Sequence, residues 1–259
     1  MKSLYFLNTA FHDGIFNMAF DTFLTRECEK GTLQPTLRLY QWKPYAISLG
    51  YSQSEQFLDK EKCSLMNVDI VRRPTGGRAV YHAEEMTYSI VLPSNDKTVS
   101  AIHSEISQAL VCGLKMLGVN ASISQHPSSA EKIYFSEHSA ACFSSVSRSE
   151  IQVNGKKIVG SAQRKFGDVI LQHGSIMIGS EHKSLPKFYR EVNEHQIQYL
   201  EETTTELETE LRRTVSFEEV AEVLQKGFEK QWEVEFVEFP LEIVDEFSIE
   251  ENTIAEVLV

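Results

Sequence analysis

A proline and a glycine pair set between two β-branched runs constrain this chain more than any other feature. From Val71 to Pro93 it reads VRRPTGGRAVYHAEEMTYSIVLP. The first run passes through Arg72-Arg73 and breaks at Pro74, and Gly76-Gly77 directly precede a second run from Ala79 to His82. The pattern predicts a strand, a tight glycine turn and another strand. Residues without Cβ let a ligand or a second backbone approach the peptide groups closely. Arg72, Arg73 and Arg78 bracket the turn, and guanidinium groups beside exposed amides suit a carboxylate, a phosphate or an acyl oxygen. An ordinary hairpin with solvated charges accounts for the same residues.

With 259 residues, 42% of them hydrophobic and 24% charged, the chain can bury a full core as one large domain or as a domain with an appendage. No window approaches 18 uninterrupted apolar residues, and the start, MKSLYFLNTAFHDG, lacks a cleavage-site pattern, so a cytoplasmic protein without membrane association is expected. Cys28, Cys63, Cys112 and Cys142 lie far apart. That spacing argues against a zinc ribbon and a disulfide framework, and it predicts mostly reduced, buried thiols and no metal. A net charge of -12 excludes general nucleic-acid binding, which needs a basic surface. The acidity is uneven, with a Glu-dense tail from 201 to 259. Arg72, Arg73, Arg78, Lys156, Lys157, Arg164 and Lys165 cluster mid-sequence, where they would form one local basic site if they converge.

Asn17 is placed to cap a first helix that stops at Gly31. Short strands follow at Leu37 to Tyr40 and Ala46 to Gly50, then a brief helix at Leu58 to Leu65, the glycine hairpin, and a strand at Thr87 to Leu92. The apolar set Ile102, Ile106, Leu110, Leu114 and Leu117 predicts an amphipathic helix over 99–117 that buries Cys112. A long loop covers Ser124 to Ala140. Beyond it, Asn154-Gly155 joins Ile151–Val153 to Lys156–Ala162 as a hairpin, and a further strand spans Val169 to Ile178. Ser216 and Glu219 form a capping box for a helix from Phe217 to Gln231. A strand at Val234 to Phe239 and a final acidic helix end the chain. Strands with only occasional helices predict an α+β fold.

A thiol at a loop edge near a lysine, as Cys142 is relative to Lys157, suits a nucleophile, although a lone Cys is more often structural. Lys157 stands where an apolar run begins, so it could favour the thiolate and stabilise charge on an acyl oxygen; a surface lysine on a hairpin fits too. His82 and His173, set among β-branched and small residues, also read as satisfied core histidines.

Assembled, these segments resemble the lipoate-protein ligase and octanoyltransferase family, over roughly residues 5 to 235. Asn17-Met18-Ala19-Phe20-Asp21 looks like its N-terminal helix motif, and Arg38-Leu39-Tyr40 with Trp42 like its first strand. RRPTGGRAVYH resembles its glycine-rich loop, KIVGSAQ (Lys157 to Gln163) the strand of its essential lysine, and QHGSI (Gln172 to Ile176) the strand after it. The resemblance implies a biotin- and lipoate-ligase-like catalytic domain, with mixed β-sheets flanked by helices, over 1–259, including an acidic helical part from about 201. It also implies acyl and substrate binding by Arg72, Arg73, Thr75, Gly76, Gly77, Arg78, Val80, His82, Gly160, Ser161, Ala162 and His173, around a catalytic pair Cys142 and Lys157.

Ligases of the family use ATP, magnesium and lipoate to form an acyl-adenylate. Its octanoyltransferases instead take the acyl group from octanoyl-acyl carrier protein through a cysteine thioester. Where ligases carry an Arg-Asn-Asp-like motif this chain reads Ala141-Cys142-Phe143, and its loop reads Gly-Gly-Arg where a triple glycine is frequent. Both features are similar to the cysteine-dependent branch. The expectation is therefore octanoyl transfer, with no cofactor required, to a lipoyl-domain lysine of glycine cleavage H protein or a 2-oxoacid dehydrogenase E2. ATP-dependent lipoate ligation, amidotransfer between lipoyl domains and a non-catalytic acyl-protein binder are the alternatives. The chain departs from the family pattern where Ala83 follows His82: the acid often found there is displaced to Glu84 and Glu85.

Overall fold

The computed structural model describes residues 3–124, 150–192 and 194–249. In chain order the strands are β1 (Ser3–His12), β2 (Thr36–Trp42), β3 (Ala46–Leu49), β4 (Asp69–Arg72), β5 (Val80–His82), β6 (Glu85–Pro93), β7 (Ser122–Ile123), β8 (Ile151–Val153), β9 (Lys156–Phe166), β10 (Val169–Met177) and β11 (Glu235–Glu238). The helices are α1 (Gly14–Lys30), α2 (Lys60–Leu65), α3 (Val99–Met116), α4 (Glu194–Thr203), α5 (Leu207–Leu211), α6 (Phe217–Trp232) and α7 (Glu242–Ile249), with a 3-10 helix over Glu181–Phe188. An eight-stranded mixed sheet runs β11-β1-β2-β6-β10-β9-β8-β7, and a smaller sheet runs β4-β3-β5. The architecture is α+β.

The central strands of the large sheet are apolar on both faces, and successive residues serve opposite cores. Ile90 and Ile170 pack with α3 and α6, whereas Val91 and Leu171 pack with Phe20 and Leu24 of α1 and with Phe247 of α7. Ile47, Leu49 and Tyr81 of the small sheet pack against Leu185 and Phe188 of the 3-10 helix. Met18, Tyr40, Trp42, Ala46 and Val71 fill the seam between the two sheets.

Two local expectations are corrected. The glycine segment is not a hairpin, because β3 lies between β4 and β5, parallel to the first and antiparallel to the second. The loop therefore crosses the end of β3, where a Cβ on Gly50 would lie 1.9 Å from the Gly77 carbonyl oxygen. Nor does Asn17 cap α1. Asp13 does so, accepting from the Phe16 N–H at 2.8 Å, while Asn17 is a buried residue inside the helix. Cys63 is buried as expected, but Cys28 and Cys112 are partly exposed. No described helix is long and apolar enough to cross a membrane.

Candidate active site

The glycine loop is tied down by its arginines. Arg73 is 4% exposed and donates to the Ser48 carbonyl and hydroxyl, at 2.9 and 3.0 Å, and to the Gly76 and Arg78 carbonyls, at 3.0 and 2.6 Å. Arg72 donates to the carbonyls of Gly50, Tyr51 and Gln53. From β9, Arg164 donates to the Pro74 carbonyl at 2.9 Å and lies 4.1 Å over the Tyr51 ring. Guanidinium groups bonded to carbonyls on several sides fix a loop that has no ladder of its own.

Two histidines connect that loop to the sheets. His173 of β10 is bonded to Asp21 of α1 at 3.1 Å through Nδ1 and to the Thr75 hydroxyl at 2.6 Å through Nε2. Asp21 is fully buried; burial opposes its ionisation, but the bonds from His173 and Arg38 outweigh that cost and hold its carboxyl below the usual range. Arg38 Nη1 and the Tyr40 hydroxyl donate to Asp21 at 2.9 and 3.0 Å. Such an acid stays charged because each of its oxygens has a donor.

His82 of β5 forms the second connection. Burial lowers its pKa, so the ring is neutral. Nδ1 donates toward Glu85 at 3.2 Å, and Nε2 accepts from the Ser48 hydroxyl at 2.7 Å. Trp42 stacks on the ring at 4.0 Å and donates to Thr87 at 2.8 Å, and Thr87 in turn donates to Glu85 at 2.6 Å. The acid displaced from the position after His82 thus still meets that histidine. Ala83 and Glu84 turn the chain, with Glu84 at φ 50, and β6 brings Glu85 back beneath the ring.

A cavity of about 30 Å³ lies in the seam. Arg73, Val80, His82 and His173 line it together with Gly160, Ser161 and Ala162, and Met18 and Trp42 stand among them. The structure therefore brings seven of the expected site residues to one cavity. Thr75 stands behind it, bonded to His173, whereas Gly76 and Gly77 are exposed on the loop. A larger groove of about 380 Å³ beside Lys97, Glu105 and Trp232 contains none of these residues. Volume alone does not make a site.

Lys157 is 7% exposed in β9, and its Nζ donates to Glu150 at 2.6 Å. Its neighbour Lys156 reaches the opposite way, to the Glu201 carbonyl at 3.0 Å. Arg78 is half-buried at the loop's end. Cys142 lies outside the described residues. Burial pushes the Cys28 and Cys63 thiols up to about 11, which makes both poor nucleophiles at neutral pH.

A family model described as the lipoyl protein ligase A/B catalytic domain matches residues 13–229. The chain belongs to the lipoyl protein ligase A/B family. Its relatives include octanoyltransferase LipM of Clostridioides difficile strain 630, 36% identical with 88% of this chain and 86% of the relative covered. LipM of Geobacillus kaustophilus is 37% identical over 87% and 84%. A bipartite lipoate protein ligase from Thermoplasma acidophilum shares the fold with a TM-score of 0.74 at 20% identity, covering 98% of this chain and 97% of that one. Within the lipoyl ligase A/B frame, sequence reasoning did not weigh Asp21, Ser48, Glu85 or Glu150 as site residues. Asp21 stood in a quoted motif and Glu85 was named only as a displaced acid; Ser48 and Glu150 carried no motif signal.

Proposed function

We propose that this chain is an acyltransferase of protein lipoylation that takes an octanoyl group from octanoyl-acyl carrier protein onto Cys142 and passes it to a lipoyl-domain lysine. One observation carries the reading: the curated octanoyltransferases it matches are 36% and 37% identical over nearly the whole chain. The chemistry is consistent with that observation. Exchange of one thioester for another is close to thermoneutral and amide formation is downhill, so neither ATP nor a metal is needed. Arg72 and Arg73 donate to loop carbonyls, which makes them builders of the loop.

In this reading the octanoyl chain enters between His82 and Ala162. The cavity there has room for about two waters, so side chains give way, and the thioether of Met18 is the softest of them. Lys157 faces the acyl oxygen, a contribution of about a hundredfold or more for one oxyanion donor.

Intact-mass measurement after mixing with octanoyl-acyl carrier protein tests the reading. A gain of one octanoyl group that hydroxylamine removes, and that Cys142→Ser abolishes while leaving the fold intact, is expected. Adenylate formation from lipoate and ATP by a fully active Cys142→Ser enzyme would overturn it in favour of ligation.

A further inference from the structure

The seam cavity, at about 30 Å³, admits an octanoyl chain only where a lining side chain can withdraw. Most of its walls are anchored. Trp42 donates through Nε1 to Thr87 at 2.8 Å and stacks on His82 at 4.0 Å. Tyr40 donates to Asp21 at 3.0 Å, and the Arg38 guanidinium lies 4.0 Å over its ring. His173 is bonded at both ring nitrogens, and Arg73 donates to the carbonyls of Ser48, Gly76 and Arg78. Moving any of these strands a buried polar group without its partner, which costs more than a lost packing contact. Val80 is β-branched and stiff at χ1, and it packs with Met177 and Leu200.

Met18 differs from all of them. It is the lining side chain that a helix supplies, from α1, and it is 1% exposed. Its thioether is unbranched and turns about three bonds without breaking a hydrogen bond. Behind it the seam is closed. Tyr40, Trp42, Ala46 and Val71 cluster with it and are no more than 3% exposed. A Cβ on Gly14 would already lie 2.7 Å from Val71 and 3.5 Å from Trp42, so the start of α1 leaves those two no room to retreat. Turning Met18 aside therefore opens a space about as large as its own side chain and no larger.

We propose that Met18 is the specificity-determining residue for acyl-chain length, a movable plug whose displacement opens the blind end of the cavity. This rests on the reading that the octanoyl group lies in the seam. The wall behind Met18 then sets how many methylenes fit. A shorter chain leaves part of the opened space empty, and a longer one meets Trp42 and Val71. One methylene too many or too few in an apolar pocket changes discrimination about tenfold or more.

The test is a competition among hexanoyl, octanoyl and decanoyl groups on the same acyl carrier protein, read as the intact mass of the lipoyl domain that receives them. Each ratio is internal to one sample, so a variant that is partly unfolded still reports. Met18→Ala should raise the decanoyl-to-octanoyl ratio about tenfold or more, and Met18→Phe should raise the hexanoyl-to-octanoyl ratio by a like factor. Met18→Leu, close in volume, should keep the parent preference. Should Met18→Ala fail to fold, Met18→Val removes less of the side chain and should shift the same ratio in the same direction. Parent ratios in both the small and the large variant would overturn the proposal. So would the same broadening in both, which would make Met18 a core filler with no part in measuring the chain. A parent protein that transfers none of the three groups is a different failure, that of the function itself, and the proposal falls with it.

Discussion

At the scale of single residues, burial decides which groups titrate and which way they face. Lys156 and Lys157 differ by one position on a strand, and only Lys157 is buried against an acid. Lys157→Arg replaces a compact ammonium with a wide planar fork. Single-turnover rates of both half-reactions should drop about a hundredfold, whereas Lys156→Ala should stay near parent; the reverse outcome would mean that the wrong lysine faces the site. His182, 2% exposed, lies with Nδ1 3.2 Å from the Gly179 carbonyl and Nε2 3.0 Å from the Thr204 hydroxyl. Burial, before any neighbouring charge, lowers its pKa to about 4. An unfolded chain takes up this proton near 6.5 and the folded one does not. Stability from this group is therefore full above that pH and is lost as pH falls toward 4, by about 3 kcal/mol. Thermal midpoints measured across this window should slope upward with pH, and His182→Gln should flatten the slope. Asp21 behaves as a depressed acid, contributing above about pH 4 and less as its carboxyl protonates at lower pH. Asp21→Asn leaves Arg38 buried beside a neutral group, a loss of about 3–5 kcal/mol in denaturant unfolding.

At the scale of elements, close approach of backbones sets the limits. Gly113 of α3 and Gly227 of α6 face one another, and a Cβ at 227 would lie 2.5 Å from the Gly113 nitrogen and 2.6 Å from the Ala109 carbonyl. Helix propensity alone gives Gly227→Ala about 1 kcal/mol of stabilisation. The collision outweighs it, and urea unfolding should show a net loss of about 1–3 kcal/mol. Gly50→Ala meets the Gly77 carbonyl instead, so its transfer activity should fall far more than its melting temperature, with circular dichroism and acyl-transfer assays run on the same sample. Periodicity made α3, α6 and β10 legible in the sequence because each buries one regular face or two apolar ones. It could not show that β3 inserts between β4 and β5, since pairing across that distance leaves no local trace. β1 was missed for a related reason: its burial pattern is irregular and a bulge interrupts it after Asn8. The cavity residues were readable only as motifs. Glu150 was within reach by counting along the Asn154-Gly155 hairpin, whereas Glu85 was hidden by the turn at Ala83 and Glu84.

For the whole molecule, the large sheet joins distant parts of the chain, since β1 pairs with β2 on one side and with β11 on the other. The acidic tail thereby supplies an outer strand, in which Glu235, Val237 and Glu238 are exposed. Among the described residues, the sheet finishes at the far side on β7, only two residues long. A sheet of eight strands offers two rows of unsatisfied amides and carbonyls to any other copy, and each row is blunted here by a different means, brevity at one end and repulsion at the other. The carboxylates that make this chain so acidic therefore have a colloidal consequence. Two molecules that met along β11 would set like charges against each other, at a distance where salt screens them only in part. Replacing Glu235 and Glu238 together with Val should leave the melting temperature almost unchanged, yet light scattering should grow with concentration as β11 edges zip together.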